Sequence, residues 1–460
     1  MATSPKPPAD PLLVVLGTTG TGKSELAVEL ATRFNGEVIN TDAMQLYDGL
    51  PVITNKITTA EQRGIPHHLL GHISLEEMPW MVDVYKREAE RTIQDIRDRG
   101  KLPILVGGTQ YYVDPLLFKD VTLGDVQHDS SKSFPILDEP TEVILEELKK
   151  VDPKMAEQWH PNDRRKISRS LEIFLQTGRP ASDHYAEQQR RKAEAAQAGN
   201  PPKRWDKLML WVFSEREVLN ERLDKRIDKM LDAGLLNEVQ QMLKIKQQKE
   251  AAGQFVGMTK GIWQSIGYKQ FEPYAMALNQ GKAPSELEPL KLAGTEDMKT
   301  ATRQYARSQT RWIRLKQVPL LLEQGPEAMR SLYLLDSTDI SKFQTNVVEP
   351  ATDLVSLFLR GESRPEPCEI SDVAREVLTK ISNPPPPKTV RKRTCELCHI
   401  TLLTDEAWQR HLGDRKHRRM MTKKNRLALV PVESPPQDEA GGASDDEDGS
   451  VPDLAAIFTA

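Results

Sequence analysis

The chain has 460 residues, enough for two or three domains around a sizeable core. Its formal net charge of -4 hides an asymmetry, basic over 388–426 and acidic in the ASDDEDGS tail, so partners must be read from local charge. Three cysteines argue against a disulfide scaffold, and the sequence has neither a bilayer-length apolar run, a secretory h-region nor a mitochondrial presequence in MATSPKPPAD; a protein without a membrane partner is expected, cytoplasmic, with mitochondrial and nuclear pools left open.

After a disordered start over 1–10, the apolar run LLVVL ends at Gly17 and leads through GTTGTGKS into a helix-compatible segment. Gly17, Gly22, Lys23 and Ser24 stand at P-loop spacing in the strand–turn–helix context that the pattern requires. Such a turn folds backbone N–H groups around a phosphate at a helix N-terminus, Lys23 adds a point charge, and Ser24 is placed to hold Mg²⁺. The strand in EVINTDAMQLY then puts Asp42 at the carboxyl edge of a parallel sheet, where open α/β folds bind ligands. Asp42 can equally form a helix cap or turn. Gln45 and Tyr47 add side chains able to grip a base-like substrate. His67, His68 and His72 lie close together, but without a matching carboxylate or cysteine they read as loop and cap residues rather than a metal site.

The strand in KLPILVGGTQYYVDPLL ends in Gly107, Gly108 and Thr109, where an NTPase often places an Asp for Mg²⁺. The glycines are expected to let backbone approach a ligand. Residues 121–202 read as a helical insertion, because WDKLMLWVFS afterwards resumes the strand pattern. Within it DRRKISRSLEIF places Arg165, Lys166 and Arg169 on the first turns of a helix, a basic density without balancing acids that suits RNA phosphates. Arg222 and Arg226 share one face of the next helix. They either lean over the phosphate loop or pair with Glu221, Asp224 and Asp228. Arg303, Arg307, Arg311 and Arg314 recur at helical spacing with Tyr305 and Trp312 nearby, a pattern suited to nucleic acid. SLYLLDST closes the core, which runs over 11–120 and 203–359.

Residues 360–390 read as a proline-rich linker in which Cys368 is inert. CELCHITLLTDEAWQRHLGDRKH then spaces Cys395, Cys398, His411 and His417 as a zinc finger over 391–425, mobile on its linker, with Leu402 and Trp408 as its apolar core and His399 left over. A segment so small needs a structural Zn²⁺ to fold. The tail over 426–460 is acidic and expected to be disordered.

Taken in order, GTTGTGKS, INTDAMQLYDGLPVITNK, VGGTQYY, DRRKISRSLEIF, RLDKRIDKML, GIWQSIGYKQF and TRQYARSQTRWI resemble the tRNA dimethylallyltransferases, and the finger is similar to the matrin type of their eukaryotic members. The resemblance implies an α/β fold, a P-loop kinase-like parallel sheet with a helical insertion and a small C-terminal finger. It also implies transfer of a dimethylallyl group from dimethylallyl diphosphate to N6 of the adenosine beside the tRNA anticodon, position 37, by a Mg²⁺-dependent enzyme, here expected as a monomer. On that resemblance Asp42 would be the base, with Lys23 and Arg226 also catalytic. Gly17, Thr18, Thr19, Gly20, Thr21, Gly22, Lys23, Ser24 and Thr109 would line the diphosphate site. Asp42, Ala43, Met44, Gln45, Arg165, Lys166, Ile167, Ser168, Arg169, Arg303, Arg307, Arg311 and Arg314 would meet the anticodon stem-loop. Ala43 replaces a usual Ser and Ser308 a usual Arg or Lys. From the residues alone, a P-loop kinase of a small metabolite and a non-catalytic RNA-binding protein stay as alternatives.

Overall fold

The computed structural model describes residues 6–77, 79–118, 134–197, 205–254, 256–258, 261–382 and 390–428. They fall into two units, one of residues 6–118 and 205–382 and the other of 134–197 and 390–428. The N-terminal five residues, the start of the expected insertion and the acidic tail beyond Ala428 lie outside the described residues.

In the first unit β1 (Pro11–Gly17), β2 (Gly36–Asn40), the short β3 (His67–His68), β4 (Leu102–Val106), β5 (Asp206–Phe213) and β6 (Leu332–Asp336) make a parallel sheet in the order β3-β2-β4-β1-β5-β6. The LLVVL run is apolar throughout because both faces of β1 are covered. Leu12, Val14 and Leu16 enter one core while Leu13 and Val15 enter the other. Leu13 registers on Ile104 of β4 and Val14 on Met209 of β5. Helices α1 (Lys23–Arg33), α2 (Thr59–Gln62), α3 (Val82–Asp98) and α4 (Gln110–Leu117) follow the first four strands. The strand order reverses between β1 and β4, the position at which open α/β sheets bind ligands beyond their carboxyl ends. The phosphate loop leaves β1 there, and Gly107–Gly108–Thr109 leaves β4 beside it.

The second unit begins with α5 (Thr141–Val151), α6 (Pro153–Gln158), α7 (Arg164–Thr177) and α8 (Ala181–Gln197), which enclose their own core around Ile144, Leu148, Ile167 and Leu171. Back in the first unit, α9 (Arg216–Asp232) and α10 (Leu235–Ala251) are followed by α11 (Tyr268–Asn279) and α12 (Pro284–Trp312), the last running through a π-helical turn at Ile313–Gln317 into α13 (Val318–Glu323) and α14 (Pro326–Met329). After β6 come α15 (Glu349–Arg360) and α16 (Asp372–Ser382). Helix α16 corrects the linker expectation over 360–390: Ala374, Leu378 and Ile381 are buried in the main core, and Cys368 packs against it. Three apolar residues at helical spacing outweigh the surrounding prolines. Among the described residues no helix is long and apolar enough to cross a membrane.

The second unit ends with the antiparallel pair β7 (Val390–Thr394) and β8 (Thr401–Thr404), then α17 (Asp405–Gly413) and α18 (Arg415–Ala428). This ββα finger is not a separate body on a tether. It belongs to the unit of the helical insertion, where His160 Nε2 lies 3.0 Å from Thr401 O and Lys392 Nζ donates to Ala156 O at 3.5 Å.

Candidate active site and nucleic-acid surfaces

The phosphate loop is braced by its own atoms and by α9. Gly17, Gly20 and Gly22 have φ of +144°, +82° and +91°, a region costly for any residue with a Cβ, and a Cβ on Gly17 would lie 2.3 Å from Val212 O. Thr21 Oγ1 donates to Thr18 O at 2.9 Å and Lys23 Nζ to the same oxygen at 2.6 Å. Burial draws the Lys23 ammonium down to about 8, against the opposing pull of Asp42. Ser24 is exposed on the first turn of α1.

The two readings of the α9 arginines are separated by geometry. Arg222 donates to Gly20 O at 3.1 Å and to Ser337 O and Thr338 O at 3.0 and 3.1 Å, a staple of three backbone carbonyls. Arg226 donates to Thr19 Oγ1 at 2.8 Å, and burial lowers its pKa to about 10. Asp224 and Asp228 turn instead to α12, to Arg303 and Lys299.

Asp42 follows β2, where Asn40 Oδ1 accepts its N–H at 2.9 Å and Asn40 Nδ2 donates to Asp42 O at 3.0 Å. Its Oδ1 accepts from Met44 N at 2.9 Å, so the carboxylate heads the short turn Met44–Leu46. The turn-forming role that the sequence allowed Asp42 is thus filled, and its carboxylate keeps a second oxygen besides the one that accepts Met44 N–H. Burial pushes the Asp42 carboxyl up, while the Met44 and Gln45 N–H groups and the charges of Lys23 and Arg226 hold it back. A carboxylate with a raised pKa beside two cations at a sheet edge is suited to accepting a proton.

Gly107 and Gly108 admit neighbouring protein where a Cβ would stand. A Cβ on Gly107 would lie 2.2 Å from Thr41 Oγ1 and 2.8 Å from Asp42 N, and one on Gly108 2.0 Å from Gln309 Nε2. Thr109 Oγ1 accepts Ala43 N–H at 3.1 Å and is hydrogen-bonded to the Tyr305 hydroxyl. Gln45 commits its amide nitrogen to Thr54 O and Asn55 O at 3.2 and 3.1 Å, anchoring the following loop. Ala43 and Met44 are half-buried beside it.

The α12 stripe divides. Arg303 is bound to both Asp224 oxygens at 2.8 and 2.6 Å, clasping α12 to α9, whereas Arg307, Arg311 and Arg314 are exposed. Trp312 is half-buried, its indole N–H donated to Asp114 at 2.7 Å. Ser308 is exposed and donates to Tyr305 O. In α7, Arg165 and Lys166 are exposed, but Ile167 is 0 % exposed in the core of its unit, which removes it from any RNA surface. Ser168 and Arg169 are half-buried. The absence of balancing acids is also corrected: Lys166 pairs with Asp163 at 2.9 Å and Arg169 with Glu172 at 2.8 Å, each at the i, i+3 spacing that the sequence offers.

The ligand atoms of Cys395, Cys398, His411 and His417 lie within 4.8 Å of one another, so these residues could hold a metal ion. His399, at φ +53° in the turn between β7 and β8, stands outside the cluster. Leu402 and Trp408 are half-buried, with the Arg393 guanidinium 5.8 Å from the indole centroid. The expected histidine trio serves structure: His68 Nε2 meets Glu37 Oε2 at 2.6 Å, His67 Nδ1 meets Ile65 O at 2.8 Å, and His72 packs edge-on to Trp80. Sequence reasoning passed over Gln309, which joins two loops. Its only signal was its place four residues after Tyr305, on the same helix face.

Residues 45–316 match a family model described as IPP transferase. The tRNA dimethylallyltransferase of Schizosaccharomyces pombe is 38% identical over 438 residues, covering 91% of this chain and 96% of that protein. The tRNA dimethylallyltransferase of Homo sapiens is 35% identical, covering 92% and 89%. A solved structure described as a eukaryotic dimethylallyltransferase acting on tRNA superposes with a TM-score of 0.76 at 34% identity, covering 91% of this chain and 98% of that one.

Proposed function

The chain belongs to the tRNA dimethylallyltransferase family, and from that membership we propose that it transfers the dimethylallyl group of dimethylallyl diphosphate to N6 of adenosine 37 in tRNA. The observation that carries the reading is Asp42, a carboxylate with a raised pKa in the field of Lys23 and Arg226 at the sheet switch point.

An exocyclic amine is a weak nucleophile. As its nitrogen bonds to the allylic carbon, the carbon–oxygen bond to diphosphate breaks and Asp42 takes the N6 proton. The departing diphosphate gathers negative charge, which Lys23, Arg226 and the N–H groups of the phosphate loop stabilise. Ser24, exposed at the head of α1, is suited to hold Mg²⁺ together with diphosphate oxygens; the ion supplies charge neutralisation. The adenine must leave its stack to reach Asp42, at a cost of a few kcal/mol. Arg307, Arg311 and Arg314 on α12, and Arg165 and Lys166 on α7, offset it by gripping the RNA backbone.

Two thiolates and two imidazoles suit Zn²⁺ at the finger. Three cysteines in so long a chain support a cytoplasmic setting, and we take the working form to be a monomer. The test is incubation with Mg²⁺, dimethylallyl diphosphate and unmodified tRNA, then nucleoside mass spectrometry. N6-dimethylallyladenosine is expected with tRNA and not with free adenosine; its absence from tRNA overturns the assignment.

A further inference from the structure

Gln309 occupies the centre of the carboxyl edge without belonging to the phosphate loop, the Asp42 turn or the basic stripe. It is 4 % exposed. Its Oε1 accepts the Thr19 N–H at 2.9 Å and its Nε2 donates to Gly108 O at 3.0 Å. Thr19 and Gly108 follow β1 and β4, the two strands at the switch point. One amide therefore spans the gap between the loops and fixes the orientation of the Thr19 peptide. Thr19 in turn presents the hydroxyl that receives Arg226. Gly108 is open enough for this only because it has no Cβ, since one would fall on the amide nitrogen. One turn away Tyr305 binds Thr109, which holds the N–H beside Asp42.

We infer that Gln309 is a positioning residue for the diphosphate site: by holding the Thr19 peptide against Gly108 it sets the phosphate loop and the Thr19–Arg226 pair in the geometry that binds diphosphate. The inference rests on the function proposed above. Its bonds to Thr19 and Gly108 reach the phosphate loop, whereas Arg307, Arg311 and Arg314 are exposed at other positions of α12.

Gln309→Met keeps the volume and removes the hydrogen bonds to Thr19, Gly108 and Tyr305. Titration of the full chain with inorganic pyrophosphate and Mg²⁺ should show affinity about tenfold weaker, the scale of one well-placed buried hydrogen bond. In steady state the KM for dimethylallyl diphosphate should rise by a similar factor while the KM for tRNA holds. Gly108→Ala reaches the same amide from the other side and should weaken pyrophosphate binding similarly; it decides the matter if Gln309→Met does not fold. Pyrophosphate affinity within twofold of the parent in a folded variant, or equal losses toward tRNA and donor, would overturn the positioning role. A parent protein that binds pyrophosphate yet prenylates no tRNA would sink the proposed function while leaving the pyrophosphate comparison able to judge Gln309.

Discussion

The carboxyl edge of the sheet and the C-terminal finger both gather chemically capable residues, but they are held by opposite means. At the sheet edge the strands are buried on both faces, and Asp42, Thr109, Arg222 and Gln309 are fixed by hydrogen bonds to backbone carried on that framework. In the finger, Cys395 and His417 are the only buried side chains among those described, and both belong to the metal-ligand set. A region whose interior is its own ligand set has no apolar core to fall back on. The first site is therefore expected to survive loss of any one polar group with its fold intact, and the second to lose its fold with its metal.

Metal removal tests this contrast most severely. A structural zinc contributes on the order of 10 to 16 kcal/mol to folding of such a finger. Chelation, or Cys398→Ser, should expose residues 390–428 to protease while the sheet keeps its melting transition. A finger that resists protease with no bound metal would erase the contrast.

Asp42→Asn is the matching change at the sheet edge. Single-turnover prenylation should fall about 10²- to 10⁴-fold, the usual range for a lost general base, with little change in melting temperature. The base works when deprotonated and its pKa is raised, so the parent rate should decline with acid above the ordinary carboxylate range. Asn should abolish that limb. A flat acid limb in the parent would separate Asp42 from the proton transfer.

Glu37 separates fold from function within the sheet itself. Its side chain is 3 % exposed; burial alone would raise its pKa, but Lys101, His68 and Arg99 outweigh burial and bring it to about 2. A lowered folded pKa means stability present above the unfolded value near 4.5 and lost as pH falls toward 2. Glu37→Gln should cost about 3 kcal/mol at neutral pH in denaturant unfolding and flatten that acid dependence, without altering pyrophosphate affinity. A neutral effect would show that the cluster adds nothing to the sheet.

The smallest effect is expected on α12. Arg311→Ala should reduce the salt dependence of tRNA binding by a slope of about 0.7 to 0.9, the contribution of one phosphate contact. Arg303→Ala should leave that slope alone and lower stability by about 1 kcal/mol, because its charge is spent on Asp224. Equal slopes for the two variants would restore the undivided stripe.

Much of this was legible in the residues because it is local. The LLVVL–GTTGTGKS run specifies strand, turn and helix within a few residues, and the Cys/His spacing specifies the finger, since both depend on what the chain can do over one or two turns. What needed tertiary structure was the partner of each polar group. Spacing put Arg222, Arg226, Asp224 and Arg303 on helix faces, but only packing of α9 against the phosphate loop and α12 decided which cations hold backbone and which pair with acids. Gly107 and Gly108 advertised a close approach without saying to what; the answer, Thr41 and Gln309, comes from residues far apart in sequence. Side-chain hydrogen bonds reach only a few ångströms, so their partners are set by which segments the buried strands and helices bring together, and no local pattern encodes that.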